Sequence, residues 1–210
     1  MPTRELQVLG QPEAPRERAD ALRNRARILD AARTMLSRMP ADALCMDALC
    51  AEAKVGKGTL YRRFVDKAAL LHALLDEDER ALQEQVRAAF HGRTRGAAAR
   101  TQLLHLLGEL HHFVVEHADI LAAAEASAKP AARWASAPYA WRRSLLALLL
   151  EQAGVTPRAS VEHTADLLLS SLSAEIALRA LRTQGRAAVQ RQARAYFEGV
   201  LASLVPLSSN

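Results

Sequence analysis

The chain has 210 residues, half of them apolar, so it can bury a substantial core and is not a disordered polymer. Aromatics make up only 4% while alanine, leucine and arginine dominate, a mixture that favours helices and lacks the β-branched and aromatic runs that strands need. The charge is uneven, with 13 Lys+Arg against 9 Asp+Glu in residues 1–67 (net +4) and 15 against 14 in residues 68–210 (net +1), so a polyanionic partner is expected for the N-terminal third.

The opening MPTRELQVLGQPEAPRERA has no apolar signal-peptide core and reads as a mobile tail over residues 1–19. Helix one is expected from about Ala21 to Met39, with Leu22, Ile28, Leu29, Ala32, Met35 and Leu36 at helical spacing, and Pro40 ends it. A short helix from about Met46 to Ala53, the turn Lys54-Val55-Gly56 and a second short helix through Phe64 form a helix-turn-helix pattern, with Val55 buried between the two. Cys45 and Cys50 stand about 140° apart on a helix, so their sulfurs do not meet; they read as buried small residues, and no metal is implied.

Asp66 reads as the N-cap of a long helix to about Phe90, with Leu70, Leu71, Leu74, Leu82 and Val86 facing inward. HGRTRG at 91–96 breaks it. Further helices are expected at about 97–117, 119–127, 135–153, 160–183 and 187–204, separated by Lys129-Pro130, Gly154 to Pro157 and Gln184-Gly185. The longest strongly apolar run, Leu145 to Leu150, falls far short of the roughly 20 residues of a membrane span, so a cytoplasmic protein without a membrane partner is expected.

The stretch VGKGTLYRRF, residues 55–64, carries two glycines, three basic side chains, a tyrosine and no acid. A helix that reads DNA must approach phosphates closely, which favours small residues and hydrogen-bonding side chains in its first turn. Gly56 and Gly58 allow that approach, Lys57 and Thr59 stand at the helix start, and Leu60 and Phe64, four apart, face other helices. Tyr61, Arg62 and Arg63 then point outward. Tyr61 fits a clamp on the DNA backbone, and equally a half-buried core tyrosine among solvated arginines.

ILDAARTML followed by CMDALCAEAKVGKGTLYRRFVDKAALLHALL resembles the DNA-binding domain of the TetR family of bacterial helix-turn-helix transcriptional regulators. The resemblance covers residues 20–80 and rests on Ala53, Val55, the run Lys57-Gly58-Thr59-Leu60-Tyr61, Phe64 and Asp66-Lys67, all in register. It implies that Lys57, Thr59, Tyr61 and Lys67 contact phosphates or adjacent base edges, and that Gly58 seats the helix in the groove. Arg62 and Arg63 are further DNA-binding candidates, although the family often has histidine where Arg63 stands. Two other departures concern stability. Lys54 replaces a glycine of the turn, so Lys54→Gly is expected to raise the melting temperature if that residue is left-handed. Cys45 replaces a threonine N-cap, which weakens the cap.

The resemblance implies an all-α protein: a three-helix DNA-binding head over 20–80 and a larger helical body over 81–205 that dimerises and holds a small, largely apolar effector. In the expected helix 160–183, Val161, Ala165, Leu168, Leu172 and Ile176 line one face, and Leu167, Ala174, Leu178 and Leu181 another. With Tyr196, Phe197 and Val200 of the last helix they suggest a homodimer interface centred on Leu167, Leu178, Leu181, Tyr196 and Val200. In helix 97–117, Leu103, Leu106, Leu107, Leu110, Phe113 and Val114 face inward. His105, Glu109, His112 and Glu116 share the opposite face in a spacing that resembles a metal site, but there they read as solvated surface. His111, Phe113, His117, Trp134, Tyr139 and Trp141 are candidates to line an effector pocket.

The function expected is a ligand-responsive regulator, a repressor released from a palindromic double-stranded DNA operator. An activator of the same fold and a helical small-molecule-binding module without DNA binding are the alternatives. No nucleophile elbow, phosphate-binding loop, paired cysteine set or HExxH motif supports an enzyme, no catalytic residue is nominated, and no cofactor is implied.

Overall fold

The computed structural model of the chain describes residues 15–89, 94–127, 136–155 and 157–204. Among these residues there are eleven α-helices and no strand, and no helix is long and apolar enough to cross a membrane. They divide into two compact units. One holds the residues up to Met39 together with Leu44–Val65, and the other Pro40–Ala43 together with the residues from Asp66 on.

The first unit contains α1 (Pro15–Leu36), α2 (Met46–Glu52) and α3 (Lys57–Arg63). Helix α1 begins at Pro15, inside the segment expected to be a tail; proline suits a first helical position, having no N–H to satisfy. The three helices close on Ile28, Leu49, Leu60 and Phe64, each at most 2% exposed, and the Arg25 guanidinium covers the Phe64 ring at 5.1 Å. Leu22 lies outside this core at 68% exposure, although its spacing placed it on the apolar face. Cys50 is buried but Cys45 is exposed, a correction to the expectation for the second of the two thiols.

The second unit holds a 3-10 turn at Ala41–Ala43 and the helices α4 (Lys67–Leu74), α5 (Asp76–Ala89), α6 (Ala97–Glu116), α7 (Ala118–Ser127), α8 (Ala137–Ala153), α9 (Arg158–Ser170), α10 (Ala174–Gln184) and α11 (Arg186–Leu204). Helix α6 packs against α8 and α11, α8 against α9, and α7 against α4 and α10. Leu103, Leu107 and Leu110 of α6 and Leu146, Leu149 and Leu150 of α8 are almost wholly buried at its centre. The 3-10 turn is fixed here by two bonds: the Ala41 N–H donates to the Asp119 carboxylate at 2.9 Å, and Lys67 Nζ donates to the Asp42 carbonyl at 2.7 Å.

Two helices expected to be continuous are broken. The Asp66 cap is as anticipated, its carboxylate accepting from the Ala69 N–H at 2.7 Å, but that helix stops at Leu75, whose N–H turns back to the His72 carbonyl. The four acids Asp76–Glu79 then form the first turn of a new helix, where the positive end of the helix dipole favours them. The expected helix 160–183 ends at Ser170 and restarts at Ala174, because the Ser173 side chain accepts from the Ile176 N–H and caps α10. The restart changes the phase of the apolar stripe. Val161, Ala165, Leu168 and Leu172 are buried, while Ile176 is 57% exposed.

Candidate nucleic-acid interface

The connection from α2 to α3 is closed by backbone bonds. The Lys54 N–H donates to the Ala51 carbonyl at 3.2 Å and the Val55 N–H to the Cys50 carbonyl at 3.0 Å, the paired bonds of a Schellman ending. Such an ending puts its first residue past the cap in the left-handed region, and Lys54 has φ 52°. The same pair of bonds ends α8, where the left-handed position is held by Gly154. Arg27 of α1 reinforces the turn, its Nη2 donating to the Ala53 carbonyl at 2.8 Å and the Lys54 carbonyl at 3.1 Å. At the other end of α2 the Cys45 side chain makes no cap bond. Val55 is half-buried rather than sealed between the helices.

This turn presents α3 with one face in the core and one in solvent. Leu60 and the capping Phe64 anchor it, while Lys57, Gly58, Tyr61 and Arg62 are exposed and Thr59 and Arg63 half-buried. Tyr61 is 47% exposed, so about half of its surface is open to solvent. Arg63 is less free than a solvated arginine, since its Nε is buried with no hydrogen-bond partner. Lys67 belongs to the second unit, with its ammonium on the Asp42 carbonyl. At Gly58 an added Cβ would meet nothing within 4 Å, and its φ is not positive, so no contact inside the protein requires glycine there.

Sequence reasoning missed the partner of Lys57. Its Nζ donates to Asp47 Oδ2 at 2.7 Å, and that hydrogen bond, together with the charge of Asp47, raises the lysine pKa above its ordinary value. The decapeptide contains no acid, and the carboxylate reaches it from α2. Nothing in the spacing signals that approach, nor the reach of Arg27 to the turn.

The pocket candidates fall into different places. Phe113 and His117 stand ring to ring, 4.6 Å between centroids, in a cleft of about 160 Å³ whose rim carries Asp78, Glu109, His112 and Glu116. Burial lowers the His117 pKa, against the opposing pull of Asp78 and Glu79. Tyr139 lines a separate cleft of about 560 Å³ with Arg143 and Asp166, and its hydroxyl donates to Asp166 at 2.5 Å. Burial alone would raise the Asp166 pKa, but hydrogen bonds from Arg143 and Tyr139 bring it below the usual carboxylate value. His111 sits edge-on to Phe197 at 6.2 Å, and Trp141 is half-buried against the body core. Trp134 lies outside the described residues. Each cleft combines apolar walls with ionisable groups, Ala140 beside Arg143 and Asp166 in the larger and Leu82 and Phe113 beside Asp78 and Glu109 in the smaller.

Of the interface candidates, Leu167 and Tyr196 are exposed at 57% and 51%, while Leu178, Leu181 and Val200 are half-buried against the core of their own unit. In the quartet read as solvated surface, His112 meets Gln190 at 2.9 Å and Glu116 pairs with Arg186. Among the described residues no group of three or more His, Cys, Asp or Glu could hold a metal ion.

The family model for bacterial regulatory proteins of the tetR family matches residues 28–74. The HTH-type transcriptional regulator UidR of Escherichia coli (strain K12) is 41% identical over 64 residues, which span 30% of this chain and 33% of that protein. The chain thus matches about a third of the length of these curated relatives. Among solved structures, a TetR-family transcriptional regulator from Pectobacterium atrosepticum is 25% identical with a TM-score of 0.56, over 90% of this chain and 97% of that one. Salmonella enterica GusR, at 22% identity and a TM-score of 0.51 over 86% and 96%, shares the fold.

Proposed function

Because the chain belongs to the TetR family of bacterial regulatory proteins, we propose that it is a dimeric regulator of transcription whose α3 helices enter the major grooves of a near-palindromic operator. It acts as a repressor, leaving that operator when a small molecule binds the body. The observation that carries this reading is the outward face of α3. Lys57, Tyr61 and Arg62 are exposed there around a glycine that nothing in the protein needs. Tyr61 donates its hydroxyl to a phosphate, Lys57 and Thr59 add contacts at the helix start, and Gly58 lets the backbone approach. Lys67 and the arginines complete the set.

Residues 20–80 form the DNA-reading head and 81–205 the body. Two bodies pair through Leu167 and Tyr196, with Leu178, Leu181 and Val200 beneath them. The effector enters where Phe113 and His117 meet, with an apolar part on the Phe113 ring and a polar or cationic end toward Asp78 and Glu109. It favours one arrangement of the heads by its differential affinity for two states of the dimer.

Footprinting on the DNA upstream of its own gene tests the reading. Two protected half-sites about 10 base pairs apart, or a multiple of that spacing, are expected from a two-fold dimer. Absence of protection at low salt overturns it.

A further inference from the structure

Asp47 has no role in the reading above, yet it makes the closest polar contact of the recognition helix. It stands in the first turn of α2 and accepts from Lys57 at 2.7 Å, with the two side chains 57% and 67% exposed. A pair so exposed contributes little to folding, because water screens both charges. Its consequence lies in what it does to the cation. A phosphate that approaches Lys57 must take the ammonium from a carboxylate already bonded to it, and that carboxylate then remains beside the phosphate.

We propose that Asp47 sets the DNA affinity of the protein: it holds the Lys57 ammonium in the free state, so each recognition helix offers a duplex one cation fewer than its sequence counts. The inference rests on α3 being the DNA-binding element and adds a tuning residue to it. Binding to arbitrary DNA depends almost wholly on phosphate contacts, and each one contributes about −0.9 to the slope of log K against log salt. Asp47 therefore restrains binding to any duplex, the operator and unrelated DNA alike, because a phosphate contact carries no sequence information.

Fluorescence anisotropy on a labelled duplex of arbitrary sequence, from about 50 to about 200 mM salt, tests this. Asp47→Asn is expected to bind about eightfold tighter near 0.1 M salt for each recognition helix engaged, with a slope steeper by about one. In a Lys57→Met background most of that gain disappears. Weaker binding by Asp47→Asn with an unchanged melting temperature would show that the carboxylate orients the lysine or reads a base. An equal gain in both backgrounds would show a general charge effect without pairing. Either result overturns the inference, whereas a wild-type protein that binds no duplex at low salt is the failure of the regulator reading itself, visible before any variant is compared.

Discussion

Lys54 and Gly58 are each the less stable choice for their position, for opposite reasons. Lys54 occupies a left-handed position that glycine fills at the equivalent end of α8, and a side chain there costs about 1 kcal/mol. Lys54→Gly is therefore expected to raise the melting temperature, and a lower one would show that the turn is held by other means. Gly58 sits inside a helix with open space around its missing side chain, where glycine costs about 0.5–1 kcal/mol relative to alanine. Gly58→Ala should stabilise the fold by about that amount. It should weaken DNA binding, because the new methyl stands where the groove approaches. A gain in both properties would remove Gly58 from the interface. Calorimetry and anisotropy on the same sample separate the two effects.

His117 gives a pH dependence with a definite sign. Burial lowers its pKa below that of the unfolded chain, so the folded state disfavours its protonation. The stability this represents is fully present above the unfolded value of about 6.5 and is lost as pH falls through the lower folded value. The melting temperature should fall between about pH 7 and about pH 5, and less steeply for His117→Gln. Equal slopes for the two proteins would show that other groups govern the acid limb.

At the scale of elements, the inward faces of α5 and α6 were legible because Leu82 and Val86 of the first, and Leu103, Leu106, Leu107 and Leu110 of the second, stand at helical spacing. The breaks at Leu75 and Ser171 to Ser173 were not, because apolar periodicity runs through both. What interrupts each helix is local: an acidic first turn in one case, a serine cap in the other. Ser173→Ala should therefore cost about 1 kcal/mol in chemical denaturation, typical of a lost N-cap. A smaller effect would mean that packing of Leu172 and Ala174 alone sets the break. The same distinction explains the candidate site. The exposed face of α3 follows from the positions of Leu60 and Phe64 within one short helix. The Asp47 and Arg27 contacts depend on how α1, α2 and α3 meet, which no local spacing records. Among the pocket candidates, Phe113 and His117 line one cleft and Tyr139, from α8, another, while His111 and Trp141 line neither, because their places depend on how the helices pack.

For the whole molecule, the proposed function requires an outward cationic α3 and a body that pairs with a second copy of the chain. Leu167 is exposed on a helix whose other face is buried, so Leu167→Glu should leave the fold intact and shift the protein from dimer to monomer in sedimentation. An unchanged dimer would place the pairing surface elsewhere. The central claim is that the solvent face of α3 binds duplex DNA, and it is tested most directly at Arg62, which is exposed and outside the core. Arg62→Glu and the wild-type chain should melt at the same temperature, while the variant binds its operator at least about tenfold more weakly near 0.1 M salt, since the change replaces a phosphate-attracting charge with a repelling one. Equal affinity of the two proteins for the same duplex would contradict the account.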